Sequence, residues 1–194
     1  MLNKLLPVLM ALTLSACGTT SSGLKYSANA EQPVKLSQST EPVVVGAFQD
    51  QRDGDKNWLG VIRGGFGNHL KTLTADRPVT EIVHNAFEDG LRARKVAVTP
   101  GTGNRITGKI TTLYADQIIR REGNAKIELT VSDSRGVQRF SRTYTATRIE
   151  GSALTLSTGV LASVDDLRDV LQRTLSELVD KALDDPELRA ALQI

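Results

Sequence analysis

Apolar residues recur along this chain with two clear periods, and each predicts a different kind of element. Between residues 77 and 94, Val79, Ile82, Val83, Ala86, Phe87 and Leu91 fall at i, i+3, i+4 and i+7, with Gly90 on the same stripe. That spacing places them on one face of an α-helix. Asp76 or Arg77 is expected to cap its start, and Pro78 suits a first turn, where its missing N–H costs nothing. Glu88 and Arg92 are spaced to pair on the outer face, and Arg92, Arg94 and Lys95 suit the negative end of the helix dipole. A second helix begins at Ser163, where Ser163-Val164-Asp165-Asp166 fits a capping box with Asp in place of Glu. Leu167, Val170, Leu171, Leu175, Leu178, Val179 and Ala182 supply its buried stripe. Asp185-Pro186-Glu187 starts a short final helix, with cap and first-turn proline together.

Period two dominates elsewhere. Ala125, Ile127, Leu129 and Val131 alternate with polar residues, the pattern of a sheet with one wet face. With 105–119 and 137–149 they form an expected antiparallel meander, turning at Glu122-Gly123-Asn124 and Ser134-Arg135-Gly136. Upstream, Val43 to Phe48 reads as a buried strand, and the polar run Gln49 to Asn57 as a loop. Trp58 to Ile62 and His69 to Thr74 read as two strands around a turn at Gly64-Gly65-Phe66-Gly67-Asn68. Val96 to Thr99 reads as one further strand, ended by Pro100-Gly101. Two one-sided helices beside a mostly antiparallel sheet predict an α+β fold, a two-layer sandwich with both long helices on one face.

The N-terminal segment obeys neither period. Lys4 is followed by about ten apolar residues, Leu5 to Leu14, too few for the roughly 20 that span a bilayer and the right number for a secretory signal. Leu14-Ser15-Ala16-Cys17 then resembles the bacterial lipobox, in which a cysteine receives diacylglycerol and the peptide bond before it is cut. The expected organisation is a signal peptide over 1–16, a lipidated Cys17 with a flexible Ser/Thr-rich tether over 17–41, and one periplasmic α+β domain over 42–194. The alternative at Cys17 is an incidental cysteine behind an ordinary signal peptide, leaving a free thiol in an oxidising compartment. Full processing adds three acyl chains, palmitate among them, and each buried CH₂ adds about 0.8 kcal/mol of membrane affinity. No aspartate follows Cys17; by resemblance to enteric-type sorting, this directs the protein to the periplasmic face of the outer membrane.

Composition narrows the chemistry. Lys and Arg number 24 and Asp and Glu 22, a net charge of +2. Loss of Lys4 with the signal leaves 23 against 22, which is not the balance of a nucleic-acid binder. Cys17 is the only cysteine, so a lipidated chain has no disulfide and no thiolate metal site. Aromatics are 4% of the chain, which leaves the core to Val, Ile, Leu and Ala.

No motif assigns a catalytic or metal site. The glycine stretch around Phe66 lacks the spacing and the lysine of a phosphate loop. Asp53, Asp55 and Asn57 alternate like a calcium loop, but Trp58 stands where glycine is required and Gly64 where glutamate is required. His69 and His84 have no ligand-type or nucleophile motif around them. The expected cofactor list is empty apart from the covalent lipid on Cys17. Asp50 and Arg52, just past a strand end, are expected either to shape the loop through an ion pair or to rim a recognition surface. With Trp58 and Phe66 they are the possible partner-binding residues.

Several stretches in order resemble the YajG family of bacterial envelope lipoproteins: the signal and lipobox, Asp50-Gln51-Arg52, Ala86-Phe87-Glu88-Asp89-Gly90-Leu91, Leu113-Tyr114-Ala115-Asp116, and Tyr144 with Glu150-Gly151. The glycine-rich Gly64–Gly67 stretch departs from the family pattern. The resemblance implies a periplasm-facing lipoprotein and brings no catalytic residues with it. The expectation is a non-enzymatic, outer-membrane-anchored lipoprotein that tethers a binding domain to the envelope and meets an envelope protein there. The competing expectation is a periplasmic hydrolase or cell-wall enzyme using His69 or His84 with a carboxylate; direct peptidoglycan binding has no motif behind it.

Overall fold

A computed structural model describes residues 19–28, 42–151 and 161–194. The expected signal peptide, Cys17 and residues 29–41 of the expected tether lie outside the described residues. Seven strands and three helices follow one another as β1 (Thr19–Ser22), β2 (Val43–Asp50), β3 (Trp58–Arg63), β4 (His69–Ala75), α1 (Val79–Ala93), β5 (Asn104–Gln117), β6 (Arg121–Ser132), β7 (Gln138–Glu150), α2 (Val164–Leu183) and α3 (Pro186–Leu192). The fold is α+β. Its single open sheet runs β1-β4-β3-β5-β6-β7, with β2 also paired to β5. The long β5–β6–β7 meander makes it mostly antiparallel; β1–β4, β2–β5 and β3–β5 are parallel.

The helical stripes read from the sequence are buried: Val79, Ile82, Val83, Ala86, Phe87, Gly90 and Leu91 in α1, and Leu167, Val170, Leu171, Leu175, Leu178, Val179 and Ala182 among others in α2. Apart from Gly90 and Val170, the named residues share one core with Leu59, Ile62, Leu73, Ile106, Ile110, Leu113, Ile127 and Leu129. The core is largely aliphatic; Phe48 and Phe87 stack within it at 5.3 Å. Ser163 Oγ accepts from the Asp165 N–H and Asp185 from the Glu187 N–H, caps of about 1 kcal/mol each. Asp166 does not close the capping box; its carboxylate pairs with Arg121 at 2.6 Å.

Four further local expectations change. Neither Asp76 nor Arg77 caps α1: Pro78 is the N-cap residue and no side chain caps the helix, because the Asp76 carboxylate is bonded to Arg77. Val96 to Thr99 is not a strand but a single bridge of Val98 to Val43, since positive φ at Lys95, Gly101 and Gly103 turns the chain on both sides. The turn expected at 122–124 lies inside β6, and the hairpin tip is at 118–120. Gly123 serves packing rather than turning: a Cβ there would lie 2.3 Å from Thr174 Oγ1 of α2.

The fourth change concerns the tether. Residues 19–28, expected to be free, are docked on the domain. β1 pairs in parallel with the edge strand β4, where backbone hydrogen bonds suffice without an apolar pattern. Leu24 enters the core at 5% exposure. The Tyr26 hydroxyl donates to Asp180 Oδ1 at 2.6 Å, and Arg94, buried beside it, joins Asp180 at 3.0 Å and Asp184 at 2.8 Å. Ser27 N–H donates to Ser176 Oγ. Burial, then the bond to Asp180, pushes the Tyr26 phenol up to about 12.

Candidate interaction surface

The structure brings Asp50, Arg52 and Trp58 together and leaves Phe66 apart. β2 and β3 pair with the same edge of β5, Asp50 level with Ile110 and Gly60 with Ala115. The intervening turn therefore crosses the middle of a long strand. Arg52 is what closes it. Its Nε and Nη2 take both oxygens of Asp50 at 2.9 and 2.8 Å; Nη1 donates to the carbonyls of Trp58 and Leu113 at 2.9 and 3.1 Å; Nη2 also donates to Lys56 O at 2.5 Å. A guanidinium has five N–H donors, and all five are used. Lys56 Nζ returns a bond to Arg52 O, and the Trp58 ring stacks on Tyr114 at 5.7 Å. Burial works to raise the Asp50 carboxyl, but Arg52's side chain and backbone N–H outweigh it and hold the group below the usual carboxylate range. Arg52 is thus the inner bracket of the turn, while Asp53, Asp55 and Asn57 are displayed on its outer side.

Phe66 sits at the apex of the β3–β4 turn and is fully exposed, at 103%. Two backbone bonds, Gly64 N–H to Asn68 O and Gly67 N–H to Gly64 O, close the turn beneath it. Positive φ at Gly67 permits the turn, and a Cβ on Gly64 would lie 2.4 Å from Asn68 Oδ1, which accounts for two of the three glycines there. Sequence reasoning missed the company Phe66 keeps. Among the described residues, six large apolar side chains are exposed: Phe66, Ile118, Ile119, Val137, Ile149 and Leu161. β3 and β5 run parallel and both finish at one end of the sheet, so Phe66 and the Ile118-Ile119 tip are neighbours in level. β7 ends there too, Ile149 opposite Glu122. Lys71 of β4 donates to Ala162 O and so brings Leu161 to the same end. Five of the six exposed apolar side chains therefore gather at one end; Val137 alone lies in the β6–β7 turn at the other.

Of the two histidines, His69 sits at the base of the Phe66 turn, opposite Arg63, and His84 lies elsewhere. His84 is partly buried on α1, Nδ1 3.1 Å from Gly46 O and Nε2 3.4 Å from Glu88 Oε1. His69 Nε2 lies 2.9 Å from Arg63 Nη1. Three surface depressions are lined by Asn104, Asp133 and Arg139; by Arg148, Arg173 and Glu177; and by Leu24, Tyr26 and Arg92, among others. No histidine lines these three. Among the described residues no three His, Cys, Asp or Glu side chains cluster to hold a metal, and no helix is long and apolar enough to cross a membrane.

A family model described as an uncharacterized lipoprotein matches residues 28–193. The chain belongs to this lipoprotein family. The YajG resemblance of its motifs agrees with that membership. The fold is similar to the crystal structure of a DUF330-family protein from Xanthomonas campestris, with a TM-score of 0.57, 13% identity, and coverage of 84% of this chain and 91% of that one. More distant structures include a minor lipoprotein from Acinetobacter baumannii, with a TM-score of 0.41, 9% identity, and coverage of 77% and 91%. PelC from Paraburkholderia phytofirmans, crystallised as a dodecamer, has a TM-score of 0.42, 15% identity, and coverage of 89% and 95%. Among proteins of curated function none matches.

Proposed function

We propose that this lipoprotein is held on the periplasmic face of the outer membrane by acyl chains on Cys17 and acts without catalysis, as a tethered binding domain for an envelope protein. One observation carries the reading: a lipoprotein family match spanning nearly all of the folded part stands behind a signal-like segment that ends at the only cysteine. The lipid confines the domain to a thin layer and so raises its effective concentration for a partner in that layer. The exposure of Lys109, Thr111, Lys126 and Thr143 on β5, β6 and β7 supports this: in our reading both long helices cover one sheet face in a two-layer arrangement and these residues belong to the open, polar face. The 51–57 turn is stiffened by Arg52. Asp53, Asp55 and Asn57 on its rim are the side chains a partner would meet. The hydrolase reading finds no comparable support, since in the closest histidine–carboxylate approach described, His84 to Glu88 on one helix, only Glu88 reaches a depression and His84 lines none of the three.

Photocrosslinking in living cells tests the binding role. A crosslinker at 53 or 55 is expected to capture a discrete envelope protein. Recovery of uncrosslinked protein alone from 53, 55 and 57 contradicts it.

A further inference from the structure

The exposed apolar end and the start of β1 are the same end of the molecule. β1 runs parallel to β4, with Thr19 opposite Thr72 and Ser22 opposite Ala75. β4 itself starts at His69, immediately after the Phe66 turn, antiparallel to β3. The chain therefore enters β1 from the Phe66 side. Cys17 precedes Thr19 by two residues, no more than about 7 Å of chain. Leu24, Tyr26 and Ser27 hold the following segment on the helices, so the domain has no slack with which to stand away from an anchor at Cys17.

We propose that this end of the domain is a membrane-docking face, with Phe66, Ile118 and Ile119 seated in the headgroup–acyl boundary beside the Cys17 lipid. The proposal deepens the preceding section and rests on its reading of Cys17 as acylated. Single exposed apolar side chains are ordinary on a protein surface; a gathered set marks an interaction site. Here the route of the chain names the occupant, because an acylated Cys17 brings the bilayer to that end whatever else binds the protein. The chemistry fits an interface rather than the bilayer interior. Arg120 shares the tip with Ile118 and Ile119, is exposed, and forms no ion pair with any described residue, which leaves its guanidinium for lipid phosphate. The 51–57 turn leaves the sheet near Ile110 to Leu113, roughly 20 to 30 Å along β5 from the tip, where it remains in the periplasm.

The acylated chain has no free thiol, so a single introduced cysteine is a unique labelling point. Phe66→Cys, Ile119→Cys and Val137→Cys occupy exposed turn positions and leave the core untouched. Each mature acylated protein, labelled with an environment-sensitive fluorophore, is placed on phosphatidylethanolamine–phosphatidylglycerol vesicles with brominated acyl chains. Labels at 66 and 119 are expected to shift to the blue and lose intensity to bromine; a label at 137 does neither. Unquenched labels at 66 and 119, on protein whose mass shows the acyl chains, overturn the docking face and spare the anchor. A blue shift at 66 that grows with protein density but ignores bromine assigns the face to a second copy and equally overturns it. A mass without acyl chains overturns both this proposal and the reading beneath it.

Discussion

Replacing Arg52 by alanine tests how far the 50–58 turn is a built structure. The guanidinium makes two bonds to Asp50 and three to backbone carbonyls, and the Asp50 side chain is 10% exposed. Breaking a buried pair by removing one partner costs about 3–5 kcal/mol. Asp50 keeps the Arg52 backbone N–H at 3.1 Å and a distant Lys56 at 4.0 Å, so the lower bound, about 3 kcal/mol, applies. At about 2–4 °C per kcal/mol for a domain of this size, Tm falls by about 6–12 °C. Thermal unfolding of mature protein, followed by circular dichroism, reads this directly. Asp50→Asn with Arg52→Met removes both charges together and is expected to cost clearly less than Arg52→Ala alone. The pH dependence has a defined sign. Folding depresses the Asp50 pKa, so its contribution is present above the unfolded value of about 3.9 and is lost as pH falls through the folded value. The gap between wild type and Arg52→Ala should therefore narrow as pH falls below about 4, leaving the part owed to the three backbone carbonyls. A Tm loss under about 2 °C would give the pair the small energy of an exposed ion pair, and the bracket argument would fail.

Other consequences follow from the same contacts. Tyr26→Phe removes the bond to Asp180, worth about 1 kcal/mol, and should raise amide hydrogen exchange over 19–28 well before it alters global Tm. Because folding raises the Tyr26 phenol to about 12, its contribution is intact below the unfolded value of about 10 and disappears as pH climbs through the folded one. Ultraviolet titration of wild type against Tyr26→Phe should place the missing ionisation near the upper value. A Cβ on Gly60 would lie 2.2 Å from the Ala115 carbonyl oxygen, whereas one on Gly65 meets nothing within 4 Å. Urea unfolding should therefore show Gly60→Ala losing about 3 kcal/mol and Gly65→Ala within about 0.5 kcal/mol of wild type.

What the sequence made legible were elements whose signal is local. The 3.6-residue stripe of α1, the Ser163 and Asp185 caps and the period-two alternation of β6 each need only a few neighbouring residues to be read. What it hid depends on distant partners. Thr19-Thr20-Ser21-Ser22 carries no apolar pattern, and becomes a strand only because the edge of β4, more than fifty residues away, offers unpaired backbone groups. Gly123 reads as a turn until Thr174 is seen against it. Ile118 and Ile119 read as the end of a β-branched strand, and their exposure emerges only with the hairpin tip. At the candidate surface, Asp50 and Arg52 were visible as a pair. The Leu113 carbonyl that commits Arg52 to the interior lies 61 residues on, and no spacing rule connects the two. The gathering of Phe66, Ile118, Ile119, Ile149 and Leu161 depends on sheet order, which periodicity does not encode.

The central claim is that one sulfur holds this domain to a membrane. Intact mass and N-terminal fragmentation of the protein purified from the membrane fraction test it most directly. The account predicts a mature chain beginning at Cys17 with acyl chains on it, and a Cys17→Ser variant that is neither cut there nor acylated. A mature chain without acyl groups, or a serine variant processed and fractionated like wild type, would contradict it.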